Sequence, residues 1–125
     1  MLRLVLLSLL LLGTTAAMPR RSPYATPCQV RFVLQVQPRQ LAASGYCRNL
    51  LDQPARYYYQ LTTERWGRSR AIDTQSGSFV VGARQEAELA QAQLRATAGD
   101  HYRLRLRVFD AGGRLLAQDS VRHDL

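Results

Sequence analysis

The sequence predicts one all-β domain, a sandwich built from seven short elements, most of them with strand periodicity. Apolar residues fall on alternate positions in most segments, turn residues recur at short and regular intervals, and 125 residues suit a single domain with one modest core.

The first strand begins at Cys28. Cys28, Val30, Phe32, Leu34 and Val36 alternate with Gln29, Arg31, Val33, Gln35 and Gln37, the period-two pattern of a strand with one buried face. Pro38-Arg39 ends it, and Leu41, Ala43, Gly45 and Cys47 continue on alternate positions to about Leu50. After Asp52-Gln53-Pro54, Tyr57, Tyr59, Leu61 and Thr63 alternate with Arg56, Tyr58, Gln60 and Thr62, and this aromatic and β-branched content marks a central strand. Trp66-Gly67-Arg68-Ser69 reads as a turn. Arg70 to Val81 is a looser strand, expected to be interrupted at Ser76-Gly77-Ser78 and closed by Gly82. Glu86 to Ala96 (EAELAQAQLRA) is ambiguous, because its Ala, Gln, Glu and Leu favour helix by propensity alone. Tyr102, Leu104, Leu106 and Val108 alternate with His101, Arg103, Arg105 and Arg107, and Asp110-Ala111-Gly112-Gly113 turns the chain into Leu115, Ala117, Asp119 and Val121 as a hairpin. Pairing Val108 with Leu115 sets Leu106 opposite Ala117, Leu104 opposite Asp119 and Tyr102 opposite Val121. That register leaves one charge, Asp119, on the apolar side.

Residues 1–17 read as an address. Met1-Leu2-Arg3 is a short positive start, LVLLSLLLL fills Leu4 to Leu12, and Thr15-Ala16-Ala17 places small residues at the cleavage positions of a secretory signal. The apolar run falls short of the roughly 20 residues that a membrane anchor needs. The mature chain is therefore expected to start near Met18, with no membrane span. MPRRSPYATP, residues 18–27, holds three prolines and no apolar period, so it reads as an extended arm before a domain over 28–125.

Lys and Arg total 17 against 9 Asp and Glu, for a formal charge of +8, and every one of the basic residues is arginine. Lysine chemistry is excluded. The charge sits on planar, permanently ionised groups that form forked hydrogen bonds. In an exported chain the matching acidic partners are surface polysaccharide, lipid headgroups or acidic proteins, and nucleic acid is not expected. Cys28, Cys47, His101 and His123 do not have the spacing of a zinc finger, so neither a metal nor another cofactor is expected.

The cysteines bear on register. If the first two strands form a hairpin with Cys28 facing Cys47, then Val30 faces Gly45, Phe32 faces Ala43 and Leu34 faces Leu41, all on the apolar side. Directly opposed residues lie roughly 4.5 to 5.5 Å apart, within disulfide range. An exported chain meets oxidising enzymes, which predicts a Cys28–Cys47 bond worth about 3 kcal/mol through loop closure.

No catalytic set assembles. Asp100 and His101 are neighbours, and neighbours on a strand point to opposite faces. Ser78 and Ser120 have no base assigned to them, and Glu86 with Glu88 reads as a solvated edge. The chain is expected not to be an enzyme.

The informative feature is Arg103, Arg105 and Arg107, three guanidinium groups on one strand face, flanked by His101 and Arg122. If the Tyr57 strand lies beside this one, its outward Arg56, Tyr58, Gln60 and Thr62 extend the face with a ring and an amide. Such a surface binds carboxylates, amides and aromatic rings without a pocket.

The Tyr-rich third strand, Gln75-Ser76-Gly77-Ser78-Phe79, Leu89, Leu94, the stretch from Ala98 to Asp110 (AGDHYRLRLRVFD) and Gly113-Arg114-Leu115-Leu116-Ala117 resemble the curli assembly inhibitors, the CsgC and CsgH family, most closely its CsgH branch. The resemblance spans about residues 28 to 122 and rests on strand spacing and turn placement. It implies a seven-stranded immunoglobulin-like sandwich in the periplasm. Its implied role is an ATP-independent chaperone, a monomer that keeps curli-type amyloid subunits, rich in Gln, Asn and acidic residues, from polymerising early. It also assigns Glu86 to Ala96 to a fifth strand against helical propensity. The Cys-x-Cys motif of the CsgC branch is absent before Tyr57, where this chain has Asp52-Gln53-Pro54-Ala55-Arg56, so no redox role carries over. Client binding on a basic sheet face maps onto Arg103, Arg105 and Arg107, with Tyr58 and Gln60 beside them.

Two other readings come from different classes. One is an immunoglobulin-like adhesion or carbohydrate-binding module using Trp66 with Tyr57, Tyr58 and Tyr59. The other is a fibre subunit whose arm, Met18 to Pro27, inserts into a neighbour's sheet.

Overall fold

A computed structural model describes residues 27–95 and 97–125. The predicted leader over 1–17 and the arm over 18–27, Pro27 apart, lie outside the described residues. Seven strands follow in order: β1 (Cys28–Gln37), β2 (Gln40–Asn49), β3 (Ala55–Trp66), β4 (Ala71–Val81), β5 (Glu86–Arg95), β6 (His101–Phe109) and β7 (Leu115–Asp124). They form two antiparallel sheets, β1-β2-β5 and β4-β3-β6-β7, packed face to face. Among the described residues no helix is long and apolar enough to cross a membrane.

The inward faces follow the alternation in the sequence. Leu41, Ala43 and Ala90 of the three-stranded sheet meet Leu61, Tyr102, Leu104 and Leu106 of the other, and Val30, Phe32 and Leu34 pack at their margin. A second cluster holds Cys28, Cys47, Tyr57, Val81 and Val108. Gly45 is needed where the layers touch, since a Cβ there would come within 2.8 Å of Leu106 Cδ2. At the end of β2, buried Asn49 donates from Nδ2 to the carbonyls of Gln53 at 2.8 Å and Gly82 at 3.1 Å, and its Oδ1 accepts from the Leu51 N–H at 3.0 Å. One amide thus ties the end of β2 to the segments after β2 and β4.

Glu86 to Arg95 is strand, against its helical propensity. The ladder with β2 carries a bulge opposite Gly45/Tyr46, so Leu89 and Ala90 both turn toward the core and strict alternation breaks there. Pairing along β2 overrides the helical propensity of the segment's Ala, Gln, Glu and Leu. Nor is β4 interrupted, because Ser76, Gly77 and Ser78 pair with Gln60, Tyr59 and Tyr58 in a ladder that runs from Ala71 to Val81. The Tyr59 ring lies over Gly77 and fills the space its missing side chain leaves.

Two predicted registers are corrected, each by two residues. The β1–β2 turn is only Pro38-Arg39, which pairs Gln37 with Gln40 and therefore Val30 with Cys47, Phe32 with Gly45 and Cys28 with Asn49. Cys28 and Cys47 become diagonal neighbours, typically about 7–8 Å apart at Cα and wider than a disulfide spans. Both are buried free thiols, so the predicted disulfide is not present. A hydrogen bond with Cys28, and then burial, push the Cys47 thiol well up. In the β6–β7 hairpin, Asp110 caps the loop by accepting the N–H groups of Gly112 and Arg114 at 2.9 Å, and Gly113 adopts a φ of 84°. Phe109 pairs with Leu115, and a bulge then sets Val108 opposite Ala117, Leu106 opposite Asp119 and Leu104 opposite Val121. Asp119 is half-buried, and its carboxylate accepts the Ser120 N–H at 2.8 Å.

Candidate binding face

β3 and β6 are adjacent and antiparallel, so the outward side chains of the four-stranded sheet line up in rows. Arg107 stands opposite Gln60, Arg105 opposite Thr62, Arg103 opposite Glu64 and Phe109 opposite Tyr58. On the other side β7 places Gln118, Ser120 and Arg122 beside Arg107, Arg105 and Arg103. All five residues singled out in the sequence, Arg103, Arg105, Arg107, Tyr58 and Gln60, therefore share one face.

The electrostatics of this face are one-sided. Among the described residues none of Arg103, Arg105 and Arg107 forms an ion pair. Glu64, the one carboxylate on β3, accepts at its Oε1 from Arg70 Nη2 at 3.0 Å. The three guanidinium groups are half-buried among Gln, Thr and Ser neighbours, and Nε of Arg107 is buried with no hydrogen-bond partner. The exposed edges of these guanidinium groups remain free to donate to an acceptor brought to this row. A shallow open depression of about 550 Å³, lined by Arg105, Arg107, Gln118, Asp119 and Ser120, gives room for it.

The row ends in a cluster that sequence reasoning missed. Trp66 stacks on His101 with centroids 5.5 Å apart, Arg122 lies 5.0 Å from the indole centroid, and Asp124 accepts from His101 Nδ1 at 2.7 Å and Arg122 Nε at 3.4 Å. The His101 imidazole, and then Arg122, hold the Asp124 carboxyl below the usual range. The correct β6–β7 register would have exposed this cluster, because it puts Asp124 opposite His101 and Arg122 opposite Arg103.

The remaining aromatics do not gather into a patch. Tyr57 is buried against Phe79 and Tyr59 tilts onto the same ring, whereas Tyr58 is exposed on the opposite face. Among the described residues no cluster of three or more potential metal ligands occurs. The cleft between β1 and β7, about 520 Å³ and lined in part by Arg31 and Glu86, meets the row only at Gln118, and those two charges are joined to each other at 2.6 Å.

No protein-family profile matches the sequence, and no curated protein matches it by sequence comparison. Solved structures do match in fold. The E. coli curli protein CsgC superposes with a TM-score of 0.62 at 17% identity, covering 74% of this chain and 96% of CsgC. CsgH of R. palustris superposes with a TM-score of 0.59 at 19% identity, covering 75% of this chain and 90% of CsgH. A β-glucuronidase of Bacteroides uniformis reaches 0.55 at 14% identity, with only 14% of the enzyme's chain covered. The chain thus has a CsgC/CsgH-like fold along nearly the full length of those two small proteins.

Proposed function

We propose that this chain is a periplasmic, ATP-independent chaperone that holds curli-type amyloid subunits back from polymerisation. The observation that carries the reading is the uncompensated row of Arg103, Arg105 and Arg107 on an open sheet face, with Gln60 and Tyr58 beside it. The likeness in fold to two small curli-associated proteins supports the same reading and agrees with an immunoglobulin-like assignment of the sandwich. A basic, amide-bearing face holds acidic, Gln- and Asn-rich chains through many weak contacts and so opposes nucleation without consuming ATP. In this reading the protein binds and does not catalyse, it acts as a monomer, and the leader over 1–17 is removed on export. The dispersed tyrosines and the covered Trp66 do not favour a carbohydrate-binding module.

Thioflavin T kinetics of a purified curli-type subunit test this. The native protein is expected to lengthen the lag, and the Arg103→Gln, Arg105→Gln, Arg107→Gln variant to lose most of that effect. An unchanged lag with the native protein sinks the reading.

A further inference from the structure

We propose that β4 is a docking edge that takes an extended, amide-rich, acidic segment of a client as an added β-strand; this deepens the chaperone reading and rests on it. A sheet edge carries unpaired N–H and C=O groups, and proteins ordinarily blunt it with charges, proline, bulges or a covering element. The other three edges are managed in this way. β7 carries Asp119, Arg122 and Asp124 and a bulge near its start. β5 carries Glu86, Glu88 and Arg95 and is bulged against β2. β1 lies along β7, and its Arg31 is clamped to Glu86.

Among the described residues β4 is the least guarded of the four edges. Its 11 residues, AIDTQSGSFVV, hold one charge, Asp73, and no proline, and they pair with β3 from end to end without a bulge. The first six, Ala71 to Ser76, are exposed on both faces, and Ile72 and Val80 are 61% and 59% exposed. Among the described residues an incoming strand finds a straight ladder there and no steric guard.

The surroundings select the occupant. On the inner side β4 borders a cleft of about 190 Å³ whose polar lining is Thr63, Asp73, Gln75, Gln91 and Gln93, so an added strand directs alternate side chains toward three glutamine amides, the partners that amide side chains pair with best, while Asp73 favours amides over carboxylates on that side. On the outer side Thr74, Ser76 and Ser78 offer small hydroxyl groups. The arginine row lies two strands inward, about 10 Å from β4, so one acidic chain can lie on the edge and the face together. The net positive charge attracts such a chain at encounter and repels a second copy of this protein, which makes a client strand the favoured occupant.

The test uses amide hydrogen exchange with an 11-residue peptide, matched to β4, of Gln, Asn, Ser and Gly with two glutamates. Saturating peptide is expected to slow the solvent-facing amides between Ala71 and Val81 by about tenfold or more. Thr74→Pro and Gln75→Pro provide the control. Their N–H groups point in opposite directions, so one of the two spares the β3 ladder and keeps the melting temperature, and that variant is expected to lose the protection. The Arg103→Gln, Arg105→Gln, Arg107→Gln variant is expected to keep protection at β4 at saturating peptide. Protection only on β1 or β7, or full protection in the proline variant that folds normally, overturns the proposal. Protection without peptide that grows with protein concentration, alongside a doubled mass, overturns it in favour of self-pairing. A peptide bound at β4 with an unchanged thioflavin T lag overturns the chaperone reading alone; a lengthened lag with no protection at β4 overturns the edge alone.

Discussion

Glu64 stands directly opposite Arg103 in the β3–β6 ladder, yet its carboxylate turns to Arg70 at 3.0 Å. Arg70 sits just before β4, and by engaging the one acid on β3 it leaves the arginine row uncompensated. The charge of the face therefore depends on a residue outside it.

Arg70→Ala should release Glu64 to Arg103 and weaken client inhibition, while Glu64→Gln should strengthen it. Exposed pairs are worth about 0.2–1 kcal/mol, so each change is expected to move the apparent affinity by about two- to fivefold. Fluorescence anisotropy of a labelled curli-type subunit monitors both; a shift of the same sign in the two variants refutes the arrangement.

Binding through Arg103, Arg105 and Arg107 should fall steeply as salt rises. The Debye length shrinks from about 8 Å at ~0.15 M to about 3 Å at ~1 M, shorter than the reach of an open sheet face to a mobile chain. Titrations between ~0.05 M and ~0.5 M NaCl should show at least a tenfold loss of affinity. A flat titration removes the row from the binding mechanism.

Gly45 and Leu106 form one packing unit across the sandwich. Gly45→Ala places a methyl carbon 2.8 Å from Leu106 Cδ2, well inside van der Waals contact, and should cost about 1–3 kcal/mol. Leu106→Ala should cost about 2–5 kcal/mol through the cavity it leaves. In the double variant the space freed by Leu106 accepts the new methyl, so urea unfolding should return a sum at least about 1 kcal/mol smaller than the two single losses. Strict additivity would show that the two layers relax independently.

Arg31 grips Glu86 with two hydrogen bonds, 2.9 and 2.6 Å, and lies 4.5 Å from the ring centre of Tyr46 on the strand between them. The guanidinium holds the Glu86 carboxyl below the usual range. A carboxyl with a lowered folded pKa contributes stability above its unfolded value, about 4.3, and loses that contribution as pH falls through the lowered folded value. Native protein should therefore melt higher than Glu86→Gln at pH 7, and the gap should close in acid. Calorimetric melting curves across that range would contradict the clamp if the gap stayed constant.

Alternation in the sequence determined which residues face the core and which face solvent. Tyr57, Leu61, Leu104 and Leu106 point inward and Arg103, Arg105 and Arg107 outward because a strand has period two, whatever its neighbours. The basic row, with Tyr58 and Gln60 beside it, was legible for that reason. Register was not. A slip of one residue exchanges the faces of a strand, but a slip of two leaves every face unchanged, so no apolar pattern distinguishes Cys28 opposite Cys47 from Cys28 opposite Asn49. The two-residue turn at Pro38-Arg39 and the bulge beside Phe109 made those choices, and with them the free thiols and the Trp66–His101–Arg122 cluster. Likewise only the packed sheets decided that Glu64 turns to Arg70 and that β4 is left as an open edge, since each depends on which strand lies next to which.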